Sequence, residues 1–359
     1  MGTLQVALDA PRTASRKGGL ALVCFALSVA LLVSVVIAIG LGAAVVAPGD
    51  TARYLWAALS GGRIEAGEVT TYQIVWQIRT PRVLLAALVG AGLSAVGVAV
   101  QAMVRNALAD PFVLGVSSGA SVGAVSVTVS GGLAAFGVYA VSAGAFAGAL
   151  AASALVFVVS ASRGALAPLR LVLTGVALSF GFQALMSVLI YFGPDNEATS
   201  SVLYWTLGGF GAAQWGALPV VAMVVALGLS LLLREARTLD LLALGDESAA
   251  SLGIDADRRR RWLLILVSLV TGVLVAVSGA IAFVGLIVPH LVRMVVGATH
   301  RRVLAVALLA GAVFMVWADL VARTLAAPRE LPLGVITALV GVPVFLTLLR
   351  RKGYVFGGR

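Results

Sequence analysis

Uninterrupted apolar runs long enough to cross a lipid bilayer recur from one end of this 359-residue chain to the other. A spanning helix needs roughly 20 apolar residues. Backbone placed in hydrocarbon must satisfy its own hydrogen bonds, which leaves helices or closed barrels. Barrel strands are about 10 residues of alternating character; these runs are longer and do not alternate. With 61% hydrophobic and 11% charged residues and a mean hydropathy of +1.07, the chain is no ordinary soluble domain, in which about 25% of residues are charged.

Ten spans are expected, at 20–47, 83–104, 113–131, 133–160, 169–192, 215–233, 262–282, 284–298, 303–326 and 333–349. They make an all-α polytopic membrane protein with one transmembrane domain over 20–349, an N-terminal tail at 1–19 and a C-terminal tail at 350–359. Segment 201–211, between Gly193-Pro194 and Gly208-Gly209, is too short to cross and reads as a half-helix after the fifth span. The first run follows Arg12, Arg16 and Lys17, as a signal peptide would. A signal-peptide core is only ~7–15 residues, so a retained helix is expected instead. The lone Cys24 can make neither an intrachain disulfide nor a zinc site and reads as an apolar filler. Gly115, Gly119 and Gly123, and likewise Gly144 and Gly148, each share a helix face, which lets helix backbones approach closely. Leu88–Gly97 and Leu269–Gly279 echo each other faintly, as in an inverted repeat.

Arginine and lysine set the orientation. With the N-terminus in the cytoplasm and ten alternating spans, 19 of the 25 Lys and Arg fall on the cytoplasmic side and 6 outside. The net charge of +10 is therefore a matter of topology and not a nucleic-acid footprint. Arg258 to Arg261 read as a stop against anionic headgroups.

One polar, helix-compatible segment, 241–255, lies on the cytoplasmic side between the sixth and seventh spans, in a loop over 238–257. It is too short to be a domain and reads as a handle for another protein. The chain has no nucleotide site of its own: a phosphate loop needs Gly-Lys-Ser/Thr, and the two lysines, Lys17 and Lys352, do not follow a glycine. ATP dependence would have to come from a partner, which would also hold the Mg; no cofactor and no metal is expected on this chain.

Other signals are weaker. Gly115-Val-Ser-Ser-Gly119 fits the Gly-x-Ser-x-Gly pattern, and His290 could complete an intramembrane serine hydrolase, but a nucleophile elbow needs a strand-to-helix turn. His290 is expected in a polar niche, and His300 in solvent within a basic loop. Asp319 invites a proton-coupled carrier, yet Arg323 four residues on offers a simple ion pair. Gln101, Ser117, Ser118, Ser179, Gln183 and Met186 would give a neutral, weakly polar lining suited to passive release of a bulky solute. Arg79, Arg82, Arg323 and Arg329 sit on the outer side against the charge bias. They would meet either headgroups or the acidic face of a soluble binding protein.

These residues resemble the FecCD-type permeases of type II ATP-binding-cassette importers for iron-siderophores, haem and cobalamin, over about residues 75 to 350. Arg79-Thr-Pro-Arg82 matches the family's Arg-x-Pro-Arg. Gln101-Ala-Met-Val-Arg-Asn-Ala-Leu-Ala-Asp-Pro111 matches its next block, with Ala107 in place of a proline. Leu114–Ala120, Ala282–Arg293 and Glu330–Thr337 follow at family spacing. The resemblance implies that Leu244, Gly245, Asp246, Glu247, Ser248, Ala250, Leu252 and Gly253 form the loop that sits in a groove of the ATPase. It implies that Arg79, Arg82 and Arg323 receive carboxylates from an extracytoplasmic binding protein. Two copies with two ATPase subunits would form one pathway, lined by the fifth span and the half-helix, in the cytoplasmic (inner) membrane with both termini inside. The expected cargo is a ferric siderophore, with haem or cobalamin as alternatives.

Overall fold

The computed structural model describes residues 14–42, 45–161, 166–192 and 205–350, and among these every regular element is helical. The helices are α1 (Ala14–Gly40), α2 (Pro48–Ser60), α3 (Val69–Gln73), α4 (Thr80–Met103), α5 (Val116–Ser130), α6 (Ala140–Ala161) and α7 (Pro168–Tyr191). They continue with α8 (Leu218–Arg234), α9 (Ala236–Leu244), α10 (Asp246–Ser251), α11 (Ala256–Ser278), α12 (Val284–Val296), α13 (His300–Thr324) and α14 (Leu333–Arg350).

Helix α4 is the axis of the bundle. It is apolar all round and buried along almost its whole length, as a core helix should be. Helices α8, α11, α12 and α13 pack around it. Small residues permit this crowding: a Cβ at Gly90 would collide with the Gly311 carbonyl, and one at Gly97 with that of Gly285. Helices α5 and α6 form a second tight pair. In it Gly119 meets Gly148 and Gly123 meets Gly144, so the two glycine faces read from the sequence lie against each other.

The all-helical architecture agrees with the sequence, but there are 14 helices among the described residues, not ten. Six are long and apolar enough to cross a bilayer. The α8–α9 pair, bent by 57°, passes as a seventh, and α5, α12 and α14 are shorter apolar helices. The additional elements α2, α3, α9 and α10 are short. The first span ends at Gly40 and not at 47, because Pro48 begins a separate amphipathic helix. The chain then returns through α3 and a π-helical turn at Ile74–Arg79 into α4. The terminal tails beyond 14 and 350, and residues 201–204 of the expected half-helix, lie outside the described residues. Of that segment, 205–207 form a helical turn.

Expected spans seven and eight are separated by an internal break. Gly92 of α4 lies beside Leu274 of α11, and Gly285 lies beside Leu93 and Gly97. Residues 279–283 are therefore level with the middle of α4 and not with its Thr80 end. This explains the shortness of α12, which begins partway through the bundle. Irregular backbone at that depth needs partners within the protein. Ser278 O accepts from Gly209 N at 2.8 Å, Gly208 O from Leu333 N at 3.0 Å, and the Asp110 carboxylate from Phe283 N at 3.1 Å.

Candidate coupling surface and translocation cleft

The handle is built by a change of direction. Helix α9 turns away from α8 and buries Leu239 and Leu242 against the bundle. Gly245 then adopts φ 115°, a conformation that L side chains rarely reach, and this opens a new helix, α10. Asp246 and Glu247 occupy its first turn, where carboxylates suit the helix dipole. Gly253, at φ 80°, ends it, and Asp255 caps α11 by accepting from Arg258 N at 3.0 Å. Leu244 and Leu252 are 62% and 63% exposed and flank the exposed Glu247, Ser248, Ala250 and Gly253; Gly245 is buried. Two exposed leucines thus flank an otherwise polar projection.

Asp246 has a different role from its neighbours. Its carboxylate turns inward to Arg260 Nη2 at 2.7 Å. Arg260 is 1% exposed, and also donates to Met103 O at 3.2 Å and Leu166 O at 2.8 Å. The expectation that all of Arg258 to Arg261 meet headgroups is therefore corrected for Arg260. Arg258, Arg259 and Arg261 remain exposed, with Arg259 paired to Glu235 and Arg261 to Asp257. His300 is likewise not solvated: it is buried, with Nδ1 2.7 Å from Asp240 Oδ1, and its backbone N–H donates to the same oxygen at 2.9 Å. Asp240 lies beyond the expected sixth span, 215–233, in the loop over 238–257. Burial there opposes ionisation of Asp240, but the bonds from His300 outweigh it and hold the carboxyl below its ordinary range.

At the opposite end, Arg79, Arg82 and Arg323 come together as expected neighbours but not as exposed ones. All three are buried. Arg79 Nη1 donates to Gly40 O at 2.9 Å and Ile39 O at 3.2 Å, and Arg323 donates to Ala38 O. Asp319 holds Arg82 at 2.9 Å and Arg323 at 3.4 Å, so the i,i+4 pair read from the sequence exists within a larger cluster. Glu330 caps Arg82 from the exposed side at 2.9 Å. Arg79 and Arg323 satisfy the last carbonyls of α1, and Arg329 and Glu330 stand exposed beside the cluster.

Ser117, Ser179, Gln183 and Met186 line one cleft of about 590 Å³, with Ser118, Ser121, Phe112, Phe180 and Ala280. Gln101 is elsewhere. It is fully buried, donates to Gly285 O and Leu286 O, and accepts from Arg293. It therefore pins α12 to α4 at the break. Ser117 enters α5 from a 3-10 turn at Pro111–Leu114 through Gly115, so the strand-to-helix context of a nucleophile elbow is missing. His290 is buried in α12. Sequence reasoning passed over Asp110 and Asp240. Asp110 lay inside a quoted motif, and its burial was the missing clue.

The model of the FecCD transport family matches residues 30–351. A hemin transport system permease protein of Yersinia pestis is 43% identical over 282 residues, covering 77% of this chain and 84% of that protein. A cobalamin import system permease protein of Halobacterium salinarum is 42% identical, covering 79% and 75%. Among solved structures, an inward-facing ABC transporter assigned to the metal-chelate type superposes with a TM-score of 0.79 at 34% identity. That match covers 92% of this chain and 99% of the other.

Proposed function

The chain belongs to the FecCD transport family, and from that premise we propose that it is the permease subunit of an ATP-driven importer for a bulky metal chelate. The observation that carries the reading is α10. It is a short polar helix presenting Glu247 to solvent between the exposed Leu244 and Leu252, on a chain without a nucleotide motif. Separate ATPase subunits, holding ATP and Mg, dock there and drive alternating access. A conformational equilibrium shifts only where a partner contacts its two states differently, and α10 is the surface offered for that.

The 19-to-6 charge bias supports cytoplasmic termini and a cytoplasmic α10. Helix α7 is largely unburied in the single chain, and Phe180, on the cleft side, is 67% exposed. A second copy of the chain completes the pathway across that face. A solute-binding protein docks on the outer rim, around Arg329 and Glu330. The buried Arg79, Arg82 and Arg323 set the shape of that rim. Among the described residues the cleft offers hydroxyls and one amide. We take a ferric siderophore as the cargo, with haem and cobalamin as the alternatives.

The test is reconstitution. With its ATPase subunits the permease takes up a ferric hydroxamate chelate into vesicles with ATP. Alone, with a pH gradient, it does not. Glu247→Arg abolishes ATPase co-purification; uptake by the permease alone, or normal co-purification of this variant, would overturn the reading.

A further inference from the structure

Arg260 joins three elements that the chain keeps apart: the end of α4 through Met103 O, the α6–α7 connection through Leu166 O, and α10 through the Asp246 carboxylate. Arg260 itself is shielded from solvent at 1% exposure, while Asp246 stays partly exposed. A guanidinium is a planar, rigid fork of donors, so its three bonds fix the mutual placement of the acceptors. Leu166 is held a second time, because its backbone N–H donates to Asp257 Oδ1 at 2.6 Å. Both backbone polar groups of that fully buried residue are thus clamped by the first turn of α11. Two residues later Pro168 begins α7, whose Ser179 and Gln183 line the cleft. An unbroken helix carries a displacement at its start to Ser179, about 17 Å away at 1.5 Å per residue.

We propose that Arg260 is a positioning residue that transmits movement of α10 to α7 and so to the cleft. The inference rests on the reading of α10 as the ATPase-docking helix. It adds the route by which the movement leaves α10. When Asp246 moves with α10 it pulls on Arg260, and because Arg260 and Asp257 hold both backbone groups of Leu166, the pull passes to the start of α7. The Asp246–Arg260 bond is then the joint, and Leu166 is the tie that carries the movement on.

The experiment uses the whole importer, purified with its ATPase subunits in a Cys24→Ala background. A spin label is placed at Leu173 of α7 in each of the two copies, and the distance between the two labels is measured with and without ATP. In the wild type it changes. In Arg260→Met the ATPase still co-purifies, and in both Arg260→Met and Asp246→Ala the ATP-driven population of the moved state falls about tenfold, the scale of one charge-assisted hydrogen bond. Asp246→Ala separates transmission from a merely structural staple, because it leaves Arg260 bonded to Met103 and Leu166. It also decides the matter if Arg260→Met fails to fold. A full distance change in Asp246→Ala overturns the proposal and leaves α10 as the docking helix. A wild-type importer whose labels do not respond to ATP would instead remove the underlying reading.

Discussion

Arg82 and Asp319 meet at 2.9 Å inside the bundle, although 237 residues separate them in the chain. Asp319 is 1% exposed, so its charge depends on Arg82 and Arg323 for compensation. Ion pairs this deep owe little to net attraction, since desolvation offsets it; what they enforce is the cost of losing one partner. Removing one member leaves an uncompensated buried charge.

Asp319→Ala should therefore destabilise the detergent-solubilised protein by about 3–5 kcal/mol, the range for breaking a buried pair. Asp50→Ala, which loses only a half-exposed pair with Arg53, should cost less than about 1 kcal/mol. Thermal or denaturant unfolding of the two variants side by side checks this. Equal losses would mean that the interior cluster carries no special weight.

Ser179 stands in the wall of the cleft, with its hydroxyl bonded back to Gly175 O at 2.8 Å. Replacement by tryptophan fills part of the cleft without touching α10. Ser179→Trp should abolish chelate uptake in the reconstituted importer while ATPase co-purification stays at the wild-type level. Normal uptake would place the pathway elsewhere.

Asp240 gives the protein a pH-dependent term. Its folded pKa lies below the ordinary carboxylate value. The stabilisation is therefore complete above the unfolded pKa of about 3.9 and is lost as pH falls through the lower, folded value. Because the group is partly exposed, the term should be no more than about 1 kcal/mol. Asp240→Asn should be less stable than the wild type at pH 7, and the two unfolding curves should converge below about pH 4. A gap that persists at low pH would show that the carboxylate charge is not the source.

Much of the working surface could be read before any coordinates. The polar stub 241–255 is conspicuous because hydrocarbon rejects it. Ser117, Ser179, Gln183 and Met186 stand out as mildly polar residues in apolar runs, and they do share a cleft. Gln101 looked the same in the sequence and proved to be an internal fastener between α4 and α12. The arginines at 79, 82, 260 and 323 were visible as charges in unexpected places. Their burial was not visible, because it comes from carbonyls and carboxylates supplied by distant elements.

What the sequence determined alone is whatever depends on one residue and its solvent: where apolar runs must sit, that they are helices, and which loops carry the positive charge. Transfer free energy and the need to close backbone hydrogen bonds act locally, so they can be summed along the chain. The tertiary structure alone decided the pairings: Arg82 with Asp319, Arg260 with Asp246 and Leu166, and the break at 279–283 with Asp110 and Gly209. Hydrogen bonds and buried ion pairs fall off within a few ångströms and need two partners at once. No property of either partner taken singly announces the other.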